Sequence, residues 1–195
     1  IKRVSTVEEA RAYIESVRRT YHDARHVCSA FIIGADRDIQ RSSDDGEPAG
    51  TAGVPMMQAL LARQTREDGT TDLSDVVAVV VRYFGGIKLG AGGLVRAYTD
   101  SVVQTLDGAL FDSRERLRVG QVPSSHADAG RLENEIRAAG LNVLGTEYGA
   151  EGATISLGVF DRPEELERAE ELVVSLSSGA ASVTWGDTQW VDLPV

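Results

Sequence analysis

The run Val76–Val81 is almost wholly apolar and passes straight into Arg82–Tyr98, RYFGGIKLGAGGLVRAY, which opens a helical pattern. An apolar run of that length reads as a strand covered on both faces. Leu94, Tyr98, Val102 and Leu106 then recur at helical spacing and form the core stripe of a helix. At ~100° per residue, Arg96 falls well off that stripe and faces away from the core. Gly85, Gly86, Gly90, Gly92 and Gly93 lie between strand and helix, so the backbone there can approach something closely. Unpaired amides at the helix start, with Arg82, Lys88 and Arg96 around them, suit an anion.

Spacing excludes the common nucleotide motifs. The block lacks the G-x-x-x-x-G-K-[ST] of a P-loop, and its glycines do not fall at G-x-G-x-x-G with a ribose-binding acid downstream. The acidic segment Asp44-Asp45-Gly46-Glu47 is too short for an EF-hand loop and lacks its alternating oxygen ligands.

Along the chain, Thr6 and Glu9 form a capping box ahead of Val7, Ala10, Ile14, Val17 and Tyr21 at helical spacing. Residues 25–34 read as a strand with His26, Cys28 and Ala30 on one face and Val27, Ser29 and Phe31 on the other. Residues 41–53 read as a polar loop, followed by a helix with Pro55 in its first turn and Met56, Met57, Leu60 and Leu61 inward. From Arg114 the pattern restarts. A strand at 116–122 precedes a helix capped by Ser124 or Ser125, with Ala129, Leu132, Ile136 and Ala139 inward and Gly140 at its end. Strands at 142–148 and 153–159 follow. A helix opening at Asp161–Glu164, with Leu166, Ala169, Leu172 and Leu176 inward, leads to a last strand at 182–191. That β-α-β-β-α-β order is the split βαβ, ferredoxin-like arrangement. The chain is therefore read as α+β with two domains, 1–113 and 114–195.

The net charge of −10 argues against broad, non-specific nucleic-acid binding, although the acidic excess falls mainly on the second half and leaves room for a local basic patch near the glycines. The single cysteine, Cys28, excludes an intrachain disulfide. No stretch is apolar enough to span a bilayer and no signal-peptide pattern is present, so a cytoplasmic protein without a membrane partner is expected.

Two loops carry complementary residue types: Asp44, Asp45 and Glu47 in one, Arg82, Lys88 and Arg96 in the other. Together they could hold a metal and a phosphate, pair with each other to lock two turns, or present a surface for RNA or protein. His26 and Cys28 share a strand face as a candidate nucleophile pair, but nothing local marks Cys28 as a thiolate. His22, His26 and His126 show no zinc spacing. Tyr83, Phe84 and Tyr98 read as packing residues with base stacking as the alternative.

Three segments together resemble the IMPACT/YigZ family: ARHVCSAF at 24–31, DDGEPAGTAG at 44–53 and VVRYFGGIKLGAGGLVRAY at 80–98. They cover roughly residues 1–112, and the remainder is similar to the small C-terminal domain of the bacterial members. The resemblance implies an N-terminal β/α domain like the second domain of a small-subunit ribosomal protein, domain four of elongation factor G and the GHMP kinases. It also implies a ferredoxin-like C-terminal domain like the last domain of that elongation factor. The family begins with a Ser-x-Phe strand that is expected to be absent here. Eukaryotic members regulate translation through protein contact, restraining a starvation-sensing kinase; that role does not transfer to a bacterial two-domain form. No catalytic set or cofactor is implied.

The expectation is a non-enzymatic, translation-linked protein that binds RNA, the ribosome or a protein partner. Its ligand-binding residues would be Asp44, Asp45, Glu47, Arg82, Gly85, Gly86, Lys88, Gly90, Gly92, Gly93 and Arg96, with His26 and Cys28 as further candidates. The alternative is a small metal-dependent phosphotransferase or hydrolase using the same loops. The sequence does not specify a catalytic residue, a metal or an oligomeric state.

Overall fold

In the computed structural model, which describes residues 1–193, Thr6 caps helix α1 (Val7–Thr20) by accepting from the Glu9 amide at 3.1 Å. The Glu9 carboxylate accepts in turn from the Ser5 amide at 2.7 Å, one residue before the cap. The chain divides into two units, Ile1–Phe111 and Asp112–Val195. Each carries a four-stranded antiparallel sheet with helices. Residues 194 and 195 of the expected second domain lie outside the described residues.

The first sheet contains β1 (Lys2–Arg3), β2 (His26–Ile33), β3 (Ile39–Ser43) and β4 (Val76–Arg82) in the order β1-β4-β2-β3. Two of these strands correct the sequence reading. β1 pairs with β4 through Lys2↔Val77 and Arg3↔Val76, so an N-terminal strand is present. β3 pairs with β2 inside what reads as the start of a polar loop. Its residues, IQRSS, are exposed after Ile39, so an edge strand solvated along its length has no apolar alternation to reveal it.

β4 is covered on both faces, as its continuous apolar run predicts. Val76 and Ala78 pack with Cys28, Ala30 and Ile32 of β2 against α2 (Gly53–Leu61) and α3 (Gly90–Asp107). Val77 packs with Phe31 and Ile33 against α1 on the other side. The α3 stripe of Leu94, Tyr98, Val102 and Leu106 is buried, and Met56, Ala59 and Leu60 of α2 meet it. Burying each large side chain of this kind contributes about 1.5–3 kcal/mol. Gly53 is required where α2 begins, because a Cβ there would lie 2.8 Å from the backbone nitrogen of Ser43.

The second unit runs β5 (Ser113–Ser124), α4 (Ala129–Ala138), β6 (Asn142–Tyr148), β7 (Ala153–Phe160), α5 (Pro163–Leu176) and β8 (Thr184–Leu193), with sheet order β6-β7-β5-β8. Ser125 does not cap α4 directly. Its hydroxyl accepts from the Asp128 amide at 3.1 Å in a turn that precedes the helix. In α5, Ala169 and Val173 are buried whereas Leu172 is only half-buried, a shift of one position in the expected stripe. Among the described residues no helix is long and apolar enough to cross a membrane.

Candidate functional site

The two loops singled out from sequence behave in opposite ways. The acidic loop turns inward, and each of its three carboxylates holds specific neighbours. Asp44 Oδ1 accepts from the amides of Ala52 at 3.0 Å and Gly53 at 2.8 Å, and its Oδ2 accepts from Gly50 at 2.8 Å. It therefore satisfies donors at the start of α2, where no adjacent side chain caps the helix. Burial would raise the Asp44 pKa, but the three amides outweigh it and hold the carboxyl below the usual range. Asp45 adopts φ 43° and Gly46 φ 82°, a tight left-handed turn. The Asp45 carboxylate accepts from the Val27 amide at 2.7 Å and from both terminal nitrogens of Arg18 at 3.2 and 2.9 Å, tying α1 to β2.

Glu47 is the most enclosed of the three, with its side chain 2% exposed. The Arg82 guanidinium donates to both of its oxygens, through Nε to Oε1 and through Nη2 to Oε2 at 3.0 Å. The Tyr98 hydroxyl donates to Oε1 at 2.8 Å. Burial pushes the Glu47 pKa up, and the bonds from Arg82 and Tyr98 more than reverse that. His26 Nε2 lies 3.9 Å from Oε2, while His26 Nδ1 sits 2.9 Å from the Asp45 carbonyl. A carbonyl only accepts, so Nδ1 is the donor there.

Cys28 is fully buried, with Sγ 3.0 Å from the Asp44 carbonyl and 3.3 Å from the Tyr98 hydroxyl. Burial pushes its thiol up to about 11, against the lowering effect of the Tyr98 bond. The thiol is therefore protonated at neutral pH and is a poor nucleophile. Burial likewise raises the Tyr98 phenol. The structure does bring His26 and Cys28 close to Glu47, Arg82 and Tyr98, as a hydrogen-bonded lock. Tyr98 is the functional group that the sequence reading missed. Helical spacing reads it as a packing residue with base stacking as the alternative, and the signal for its role is the hydroxyl, which a buried tyrosine must partner.

The glycine loop turns outward. Residues 83–92 are exposed, with Ile87 at 78%. Tyr83 and Phe84 are exposed as well, which corrects their reading as packing residues. Gly86 (φ 89°) and Gly90 (φ 73°) need left-handed backbone, but Gly85 and Gly92 do not. A Cβ at Gly85, Gly86, Gly90 or Gly92 would meet nothing within 4 Å, whereas at Gly93 it would lie 3.0 Å from Leu89 Cβ. Internal packing thus accounts for Gly93 alone among the five. α3 begins after Leu89 with no side-chain cap and no acidic residue in its first turn. Lys88 and Arg96 are exposed and, among the described residues, make no hydrogen bond or ion pair.

Metal chemistry would need carboxylates that are free to ligate. Asp44, Asp45 and Glu47 instead meet amides, guanidinium groups and a phenol. Among the described residues no group of three or more His, Cys, Asp or Glu side chains is placed to hold a metal ion. A groove of ≈ 860 Å³ lies elsewhere, between α2 and α3 beside Gln58, Arg63, Thr99 and Val103, and takes in none of the candidate residues.

The Impact N-terminal domain model matches residues 1–106, and a domain of unknown function, DUF1949, matches residues 125–180. The IMPACT family member YvyE of Bacillus subtilis is 35% identical over 195 residues, covering 100% of this chain and 85% of that protein. The chain belongs to the IMPACT family. YigZ of Escherichia coli, another member, is 51% identical over 102 residues, which is 51% of this chain and 46% of YigZ. A solved crystal structure of a hypothetical protein aligns with a TM-score of 0.61 and 31% identity, over 93% of this chain and 84% of the other. In this IMPACT family chain Glu47 of the acidic motif bonds Arg82 and Tyr98 of the glycine-rich motif, and residues 83–92 between them are exposed.

Proposed function

We propose that this chain is a non-enzymatic, translation-linked, cytoplasmic binding protein whose contact surface is the glycine-rich segment 83–97. The observation that carries the reading is the division of charge. The carboxylates of the acidic loop and Arg82 are paired internally, while Lys88 and Arg96 stand exposed and unpaired beside glycines that internal packing does not require. RNA, free or in the ribosome, is the ligand chemistry this fits, with the two cations meeting phosphates and the bare backbone permitting close approach. The fold of the first unit is read as that of the ribosomal-protein domain named above. The strand order β6-β7-β5-β8 in the second supports a ferredoxin-like domain.

Filter binding of RNA and ribosomes across several salt concentrations tests the reading. Two phosphate contacts on a single strand give a slope of log K against log salt of about −1.4, and Lys88→Ala with Arg96→Ala removes it. Salt-sensitive binding that survives the double substitution would sink the assignment. A protein partner is the second reading, favoured by the exposure of Ile87, Leu89 and Val95 beside the cations. It predicts a stable partner in a pull-down that Ile87→Asp abolishes, with no salt-sensitive RNA binding. The alternative of a metal-dependent phosphotransferase or hydrolase predicts thermal stabilisation by nucleotide with magnesium, and the internal pairing of Asp44, Asp45 and Glu47 argues against it.

A further inference from the structure

Both proposed cations lie between Arg82 and Tyr98, and one carboxylate holds both of those residues. Arg82 ends β4 and Tyr98 lies within α3, so Glu47 bonds to the chain on each side of the glycine loop. Between those points residues 83–89 are held lightly. Tyr83 donates one exposed hydrogen bond to Asp23 at 2.8 Å, Ile87 and Leu89 are exposed, and Gly85 and Gly86 have nothing near the position of a Cβ. Leu94 seats the helix in the core, but no buried side chain seats the loop itself.

The geometry points to Glu47 as a positioning residue: a single buried carboxylate that clamps both ends of segment 83–97 and so sets how Lys88 and Arg96 are presented. The effect on binding rests on the function proposed above; the clamp itself does not. The acidic loop is built to deliver this carboxylate. The Glu47 amide donates to the Asp44 carbonyl at 3.0 Å, across the left-handed turn at Asp45 and Gly46. Asp44 in turn is fixed by the amides at the start of α2. A buried carboxylate facing a guanidinium is geometry-specific, because misplacing either partner leaves a charge unpaired. Arg82 cannot drift from Glu47 at small cost, and the chain that follows Arg82 inherits its position.

Glu47→Gln is the test, since it keeps size and removes charge. Because Arg82 donates to both Glu47 oxygens, the amide NH2 faces a guanidinium nitrogen in either orientation, so the Arg82 end of the clamp loses a bond whichever way the glutamine turns. Amide hydrogen exchange in 83–97, read at the helical amides of 94–97 that carry the segment's protection, is expected to accelerate by about tenfold or more, with protection elsewhere in the first unit retained. RNA affinity below the melting temperature is expected to fall about tenfold, as the competent presentation becomes a minor population. Val77→Ala, in the core on the other side of the sheet, is the control: it should lower Tm and leave both readouts unchanged. Should Glu47→Gln not fold, Tyr98→Phe removes only the α3 end of the clamp and should accelerate exchange in the same segment. Exchange in 83–97 unchanged by either variant would overturn the proposal. Accelerated exchange in a protein whose wild type binds no RNA would uphold the clamp and discard the RNA reading.

Discussion

Asp44 offers the sharpest test of the acidic loop, because its two oxygens have different tasks. Oδ1 serves the amides of Ala52 and Gly53, both buried, and Oδ2 serves only the amide of Gly50, which is exposed. Asp44→Ala deletes both oxygens. Gly50 then turns to water, but the two buried donors are left without a partner, at about 1–3 kcal/mol each. Some relaxation and water entry at a half-buried site favour the lower end, so the expected loss is about 3 kcal/mol. Asp44→Asn is predicted to behave differently. With its carbonyl oxygen in the Oδ1 position it keeps both buried amides and loses only the exposed bond, at a cost of about 1 kcal/mol.

Urea denaturation of the whole chain, followed by the fluorescence of tyrosines placed in the first unit, reads both values from the shift in midpoint at constant m. If the alanine and asparagine variants lose the same stability, the two oxygens are equivalent and the assignment of Asp44 as an internal acceptor for α2 is wrong. If both lose less than about 1 kcal/mol, the amides are satisfied without it, and Asp44 is free for a ligand after all.

Acid should strike the first unit through the same loop: Asp44, Asp45 and Glu47 all have folded-state pKa values held below the ordinary ones, so their stabilisation is complete above the carboxylate range and is lost as pH falls through the depressed values. Asp44→Asn should therefore flatten the stability–pH profile below about pH 4, and a profile identical to wild type would refute the linkage. Two glycines should separate packing from contact. Gly120→Ala places a Cβ 2.6 Å from the Trp185 ring and should cost about 1–3 kcal/mol, whereas Gly92→Ala enters open space, should be neutral or stabilising in denaturation, and should weaken ligand binding. Equal stability losses for the two would contradict the packing. Cys28 should resist thiol reagents at pH 8 until the first unit unfolds, given its burial and raised pKa; stoichiometric labelling of the native protein within minutes would show the lock to be open.

Much of this fold is visible in the sequence where burial is periodic. The stripe of Leu94, Tyr98, Val102 and Leu106 and the two-faced burial of β4 follow from spacing alone, because each element packs along its whole length. β3 is not visible, since an exposed edge strand needs only backbone pairing to β2 and imposes no apolar pattern on IQRSS. β1, two residues long, carries too few side chains to show any period. At the site, sequence supplies the complementary loops but not their partners. Glu47 reaches residues 35 and 51 positions away, and Asp45 pairs with Arg18 from α1, which no local motif signals. The exposure of Tyr83 and Phe84 is similarly hidden, as aromatic residues beside a core strand look the same whether they fold inward or project.

The pairing of charges also bears on how an acidic chain would offer the proposed basic contact. Asp44, Asp45 and Glu47 lie next to the glycine loop, and as free carboxylates they would repel any anion approaching Lys88 or Arg96. Arg18 and Arg82 compensate Asp45 and Glu47 at hydrogen-bond distance, and three amides at the start of α2 absorb Asp44. The two ion pairs are thereby reduced to short-range dipoles, which decay far faster with distance than unpaired charges do, while Asp44 keeps its charge at the amides of Gly50, Ala52 and Gly53. Lys88 and Arg96 then meet an approaching anion against less opposition than three free carboxylates would give, with Asp23, which accepts from Tyr83, as the carboxylate in contact with the loop. The consequence is directional. Neutralising Arg82 exposes the charge of Glu47 beside the loop, so Arg82→Met should weaken anion binding more than its own lost charge accounts for, and pairing it with Glu47→Gln should recover part of the electrostatic loss while leaving the clamp broken.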